Sequence, residues 1–114
     1  NFGKTMKKLI LTVSLLTLGA VLTVRAADAK ETYDKACAKC HGADGKGQTK
    51  MGQKLGCKDY TDAKVQADLK DEGAIKSIKE GLKDKEGKAL MKPAEGLSDD
   101  EIKALVKHMR TFKK

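Results

Sequence analysis

The sequence predicts a small all-α domain, and three observations predict it. Apolar residues recur at spacings of three and four along 71–82 and again along 102–112. A capping box, Ser98-Asp99-Asp100-Glu101, stands directly before the second run. No stretch alternates with period two, and glycine-rich segments separate the periodic ones.

Ala29 to Cys40 reads as the first helix, with Tyr33, Ala36, Cys37 and Cys40 on one face. It is expected to close at His41-Gly42, where glycine takes a left-handed conformation. Residues 42–56 hold five glycines (Gly42, Gly45, Gly47, Gly52, Gly56) and no period, which predicts a surface loop. Thr61-Asp62-Ala63 opens a helix of one or two turns, and Asp71 to Gly81 a longer one with Ile75, Ile78 and Leu82 on one side. Lys83 to Gly96 reads as irregular. In the last helix the Ser98 hydroxyl meets the free N–H of Glu101, Leu97 and Ile102 form a staple, and Ile102, Leu105, Val106, Met109 and Phe112 repeat at helical spacing. With no internal repeat and no Pro- or Ser-rich linker, about four short helices are expected in one domain, residues 27–114.

The chain has 114 residues and a formal charge of +8, but its first 26 residues carry four basic side chains and no acid. Residues 27–114 hold 20 basic and 16 acidic side chains, a net of +4, which excludes a strong polycation and gives no reason to expect nucleic acid as a partner. Of the 31 hydrophobic residues in that span 11 are alanine, which leaves 20 larger apolar side chains. So thin a core needs support from a disulfide, a metal, a prosthetic group or a partner.

From Met6, the expected start, Lys7-Lys8 forms a basic region, Leu9 to Val24 is an apolar stretch of 16 residues, and Val24-Arg25-Ala26 suits a cleavage site. This pattern resembles a secretory signal peptide over residues 1–26, with Asn1 to Thr5 as upstream sequence. As a helix the apolar stretch would reach only about 24 Å, short of the roughly 30 Å hydrocarbon layer, so cleavage is expected and no stable membrane span after it. Export leads to an oxidising compartment, where cysteines are bonded to something.

Cys37-Ala38-Lys39-Cys40-His41 has the spacing of covalent c-type haem attachment. Two cysteines one helical turn apart share a face and can each add to one porphyrin vinyl group, and the histidine that follows is carried under the iron as an axial ligand. A dithiol redox motif would need a strand before it, which is missing. A zinc site would need a second ligand pair, and Cys57 and His108 do not form one.

Tyr33 four residues before the first cysteine, the attachment motif, the glycine-rich loop, the middle helix, a methionine-bearing loop and the terminal helix together resemble a small soluble class I cytochrome c, over nearly all of residues 27–114. The resemblance implies about four short helices around one haem c, with Cys37 and Cys40 as thioethers, His41 as the proximal iron ligand and a methionine as the distal one. Met91, in Ala89-Leu90-Met91-Lys92-Pro93, is similar to the family's methionine loop, except that Lys92 stands between the methionine and the proline. Met51, Met109 and His108 are the other candidates. Met109 belongs to the apolar stripe of the last helix and is expected in the core. His108 is expected to point away from the Ile102–Leu105–Met109 ridge. Met51 suits a haem contact in the loop.

With both axial positions filled, the resemblance implies a one-electron carrier and not an enzyme. The alternatives are a haem-bearing subunit of a larger periplasmic oxidoreductase, or a sensor or peroxidase with a displaceable Met91. Lys39, Lys50, Lys54, Lys88 and Lys92 are placed to ring a haem edge and to steer it toward acidic patches on a redox donor and acceptor. A monomer in the periplasm is expected, ahead of a thylakoid lumen. Cys57 is left over and is expected as a small buried hydrophobe.

Overall fold

The computed structural model describes residues 25–114, so the expected signal peptide lies almost wholly outside the described residues. Helix α1 (Ala26–Ala36) begins three residues earlier than the apolar spacing predicts. It carries Asp28 in its first turn and Lys35 in its last, matching the helix dipole. Exposed pairs Lys30–Asp34 and Lys35–Glu31, each at 2.7 Å, follow its outer face and add a few tenths of a kcal/mol apiece. The helix does not run on unbroken to Cys40. Cys37 (φ −118°, ψ −34°) kinks it, and α2 (Ala38–His41) is a separate turn. Gly42 then reverses the chain at φ +80°, ψ 148°, a positive φ open to glycine but not the left-handed helical conformation expected there.

The segment expected as pure loop contains α3 (Lys50–Leu55). Thr49 caps it, its hydroxyl accepting from the Gly52 N–H at 2.9 Å, and Gly56 ends it at φ +72°, ψ 34°. Helix α4 (Ala63–Asp68) is capped by the Asp62 carboxylate, and α5 (Asp71–Glu80) buries Ala74 and Ile78. The region read as irregular holds a small antiparallel pair, β1 (Leu82–Lys83) with β2 (Ala89–Met91), Leu82 opposite Met91 and Lys83 opposite Ala89 across an irregularity. Its turn is organised by Asp84, whose Oδ1 accepts from the N–H groups of Glu86 and Lys88, both at 2.9 Å. The all-α class stands with this pair added.

Helix α6 (Asp99–Arg110) carries the predicted capping box in full and buries Ile102, Leu105, Val106 and Met109. With Tyr33 from α1 and Ala74 and Ile78 from α5 these form the core, flanked by half-buried Leu97 and Phe112. Tyr33, Ile102 and Leu105 are its largest fully enclosed side chains, so the core is as thin as the composition implies. Opposite the core, Arg110 fastens the α4–α5 junction to α6: its guanidinium donates to the carbonyls of Gln66 and Leu69, both at 2.6 Å, and to Asp71 at 2.6 Å. No helix among the described residues is long and apolar enough to cross a membrane.

Candidate functional site

The paired cysteines and the histidine lie where α1 gives way to α2. Cys37 occupies the kink, Cys40 and His41 the turn after it, and all three are half-buried. The glycine-rich segment is cinched beneath them. Thr49 Oγ1 donates to the Cys40 carbonyl at 2.7 Å, and the Gly47 N–H donates to the His41 carbonyl at 2.8 Å. Gly52 lies so close that a Cβ there would fall on the Cys40 carbonyl oxygen and 2.5 Å from that of Gly47. Gly52 therefore serves close packing and not turning. On the other side of the motif the Tyr33 hydroxyl donates to the Gly42 carbonyl at 2.8 Å, tying it to the core.

Burial holds the His41 imidazole below its ordinary pKa, which favours the neutral ring with a lone pair to offer. Its Nδ1 is buried and has no hydrogen-bond partner among the described residues. Burial, then the neighbouring Cys40, pushes the Cys37 thiol up to about 11. Among the described residues no three His, Cys, Asp or Glu side chains converge. The donors present are two thiols one turn apart and a single imidazole, a set that fits a macrocycle bound through its rim and its centre. Among the described residues the exposed large hydrophobics, Met51, Leu82 and Leu90, lie on α3 and the β pair, not on the helices that build the core.

Met91 ends β2 half-buried, leaning on the core edge. Gly81 (φ +77°) makes that position possible, since a Cβ there would lie 2.5 Å from the Met91 carbonyl oxygen and 2.9 Å from the Pro93 ring. Met109 is a core residue, as its place on α6 predicts. His108 leaves the apolar ridge but turns onto α1, its ring 5.0 Å from Tyr33 and 5.1 Å from Phe112. Met51 is exposed on α3. Lys39, Lys50, Lys54, Lys88 and Lys92 are all exposed. Cys57 is half-buried instead of enclosed, with burial and then Cys40 raising its thiol.

Thr49, Tyr60 and Gln66 escape notice in the sequence, because they act through hydrogen bonds and a ring contact that leave no periodic signal. Tyr60 packs its ring on His41 at 5.7 Å, and Gln66, a buried polar residue, holds the Tyr60 carbonyl.

The model of the cytochrome c family matches residues 26–113. Among solved structures the chain is similar to the c-type cytochrome KustC0563, at 40% identity with a TM-score of 0.65, covering 75% of this chain and 98% of that one. A tyrosine-to-phenylalanine mutant of Kustc0563 matches at 39% identity with a TM-score of 0.63, over 75% of this chain and 99% of that one. A reducing HAO-like protein complex of Kuenenia stuttgartiensis, Kustc0457/Kustc0458, shares the fold at 21% identity and a TM-score of 0.59, over 80% of this chain and 43% of that one. Among curated proteins no match is found. Matched over the whole described domain, attachment motif included, the chain belongs to the cytochrome c family and carries covalently bound haem c.

Proposed function

We propose that the chain is a one-electron carrier whose haem is bonded to Cys37 and Cys40 and held axially by His41 and Met91. The bound haem supplies an iron that alternates between Fe(II) and Fe(III). What carries this reading is the half-buried imidazole of His41 directly after the paired cysteines, on a turn that the glycine-rich segment holds by hydrogen bonds to the Cys40 and His41 carbonyls. Partial burial disfavours the protonated ring, and the cinched loop fixes the backbone at Cys40 and His41. Met91 is preferred over its competitors because Met109 is enclosed in the core, His108 is packed against α1, and Met51 stands on the helix folded under the attachment turn. The bend over Gly81 and the fixed φ of Pro93 limit the freedom of the Met91 backbone, which suits a thioether held in place.

Two protein ligands leave the iron no position for oxygen or peroxide, which supports a carrier and argues against a catalyst or gas sensor. The exposed lysines near the motif and near Met91 suit encounters with acidic surfaces on a donor and an acceptor, and such encounters are small and short-lived. The basic and apolar leader pattern supports export to the periplasm. The test is Met91→Ala. The ferric wild-type protein should show the weak far-red band of sulfur-to-iron charge transfer, and the variant should lose it and bind carbon monoxide readily when reduced. A band that survives the substitution would remove Met91 from the iron.

A further inference from the structure

Helices α5 and α6 run past one another in opposite directions, and an ion pair ties them at each end of their contact. Lys79 meets Asp99 at 2.7 Å where α6 starts, and Asp71 meets Arg110 at 2.6 Å where it ends. Between the two pairs the pattern is broken. Ile75, four residues after Asp71 and four before Lys79, stands where a third charged residue would continue it, and α6 presents Lys103 and Lys107 to that stretch. The result is an open notch of about 380 Å³, floored by half-buried Ile75 and buried Val106, with both lysines exposed at its edge.

Among the described residues neither lysine forms an ion pair. Asp99 lies one turn before Lys103 but is bonded to Lys79, and Asp71 is engaged by the Arg110 guanidinium. Residues 1–24 contain no Asp or Glu, so they cannot supply the missing charge. The complement must come from another molecule. Lys103 and Lys107 are one helical turn apart, about 6 Å along the axis, so the matching surface carries two carboxylates at that spacing beside an apolar side chain for the Ile75–Val106 floor. One face of an acidic amphipathic helix supplies both.

We propose that the α5–α6 notch is a docking site for an acidic amphipathic helix of a partner protein, separate from the lysines on the haem side. None of its lining residues belongs to the attachment turn, to α3 or to the strand that carries Met91. The notch admits only a few side chains, so the encounter is of the weak and transient class. A partner seated there leaves Lys39, Lys50, Lys54, Lys88 and Lys92 open to a second encounter, and the protein is held in place while electrons pass elsewhere. That consequence rests on the carrier reading above; the docking site itself needs neither His41 nor Met91 as an iron ligand.

The test is nitrogen–proton correlation NMR of the ferrous holoprotein, titrated with a synthetic helix carrying Glu at i and i+4 and Leu at i+1, and with its counterpart in which Gln replaces each Glu. The amide signals of Ile75, Lys103, Val106 and Lys107 should move saturably with the acidic helix and stay in place with the neutral one. Lys103→Gln/Lys107→Gln should weaken the binding about tenfold, the loss expected for two exposed charge pairs, whereas Lys64→Gln/Lys85→Gln, outside the notch, should leave it unchanged. Signals that move only around the haem-side lysines, or that move as far with the neutral helix, would overturn the proposal. So would movement of the notch signals on raising the protein concentration alone, which would make a second copy the occupant, or with phosphatidylglycerol vesicles and not with the helix, which would make it a lipid surface.

Discussion

Gly52 is where the packing under the haem-attachment turn meets its tightest test. It lies inside α3, so alanine there would ordinarily favour the helix by about 1 kcal/mol. Its Cβ, however, would fall on the Cys40 carbonyl oxygen and 2.5 Å from that of Gly47, both backbone atoms that cannot turn aside. Helix α3 must therefore back away, at a cost of about 1–3 kcal/mol for overpacking. The move strains two hydrogen bonds of the Thr49 hydroxyl, to the Cys40 carbonyl at 2.7 Å and from the Gly52 N–H at 2.9 Å, worth about 1 kcal/mol each. The balance is a loss of about 3 kcal/mol, or about 15 °C in Tm for a domain of this size. The assay is thermal and denaturant unfolding of the holoprotein, with Gly73→Ala as its counterpart. Gly73 lies in α5 with nothing within 4 Å of an added Cβ, so alanine there should gain helix stability, by about 0.5–1 kcal/mol. A Gly52→Ala protein melting with or above wild type would refute the close-packing account.

Three further outcomes follow from particular contacts. Ser98→Ala removes an acceptor that takes the Glu101 N–H at 3.1 Å, and should lower the denaturation free energy by about 1 kcal/mol; an unchanged urea midpoint contradicts it. Burial is the chief reason the His108 imidazole sits below its ordinary pKa, so the folded chain disfavours its charged form. That contribution is complete above the unfolded value of about pH 6.5 and is lost as pH falls from there through the folded value. His108→Gln should remove that part of the acid limb, and identical pH–stability curves for the two proteins contradict it. Lys88→Gln/Lys92→Gln should slow association with an acidic redox partner and flatten its salt dependence, which stopped-flow electron transfer across ionic strength will show or deny.

Helix α6 is legible in the sequence because cap, staple and stripe all agree, and α5 because Ile75 and Ile78 keep helical spacing between an acidic start and Gly81. Helix α3 is hidden by the residue that makes it useful. Gly52 lowers helix propensity and reads as loop, yet it is there so that the helix can touch the Cys40 carbonyl. The β pair escapes because strands of two and three residues are too short to show alternation, and its turn rests on one carboxylate, Asp84. The kink at Cys37 has no local signal, since alanine and charged residues continue on both sides. The attachment residues are readable because their chemistry demands a fixed spacing. Tyr60 and Gln66 are not, because contact between a loop ring and a histidine 19 positions earlier is a product of tertiary folding.

Tyr33 of α1 and Phe112, just beyond the end of α6, lie with their rings 5.2 Å apart and join the two ends of the domain. Closing a loop of about 80 residues opposes that contact by roughly 4 kcal/mol of chain entropy. A chain still emerging from the ribosome lacks α6 and cannot form this core. Cys37 and Cys40 precede α6 by about 60 residues, so both are synthesised well before the helix that completes the core. The order of the elements along the chain thus sets an order of events: the core closes only when its last helix is in place.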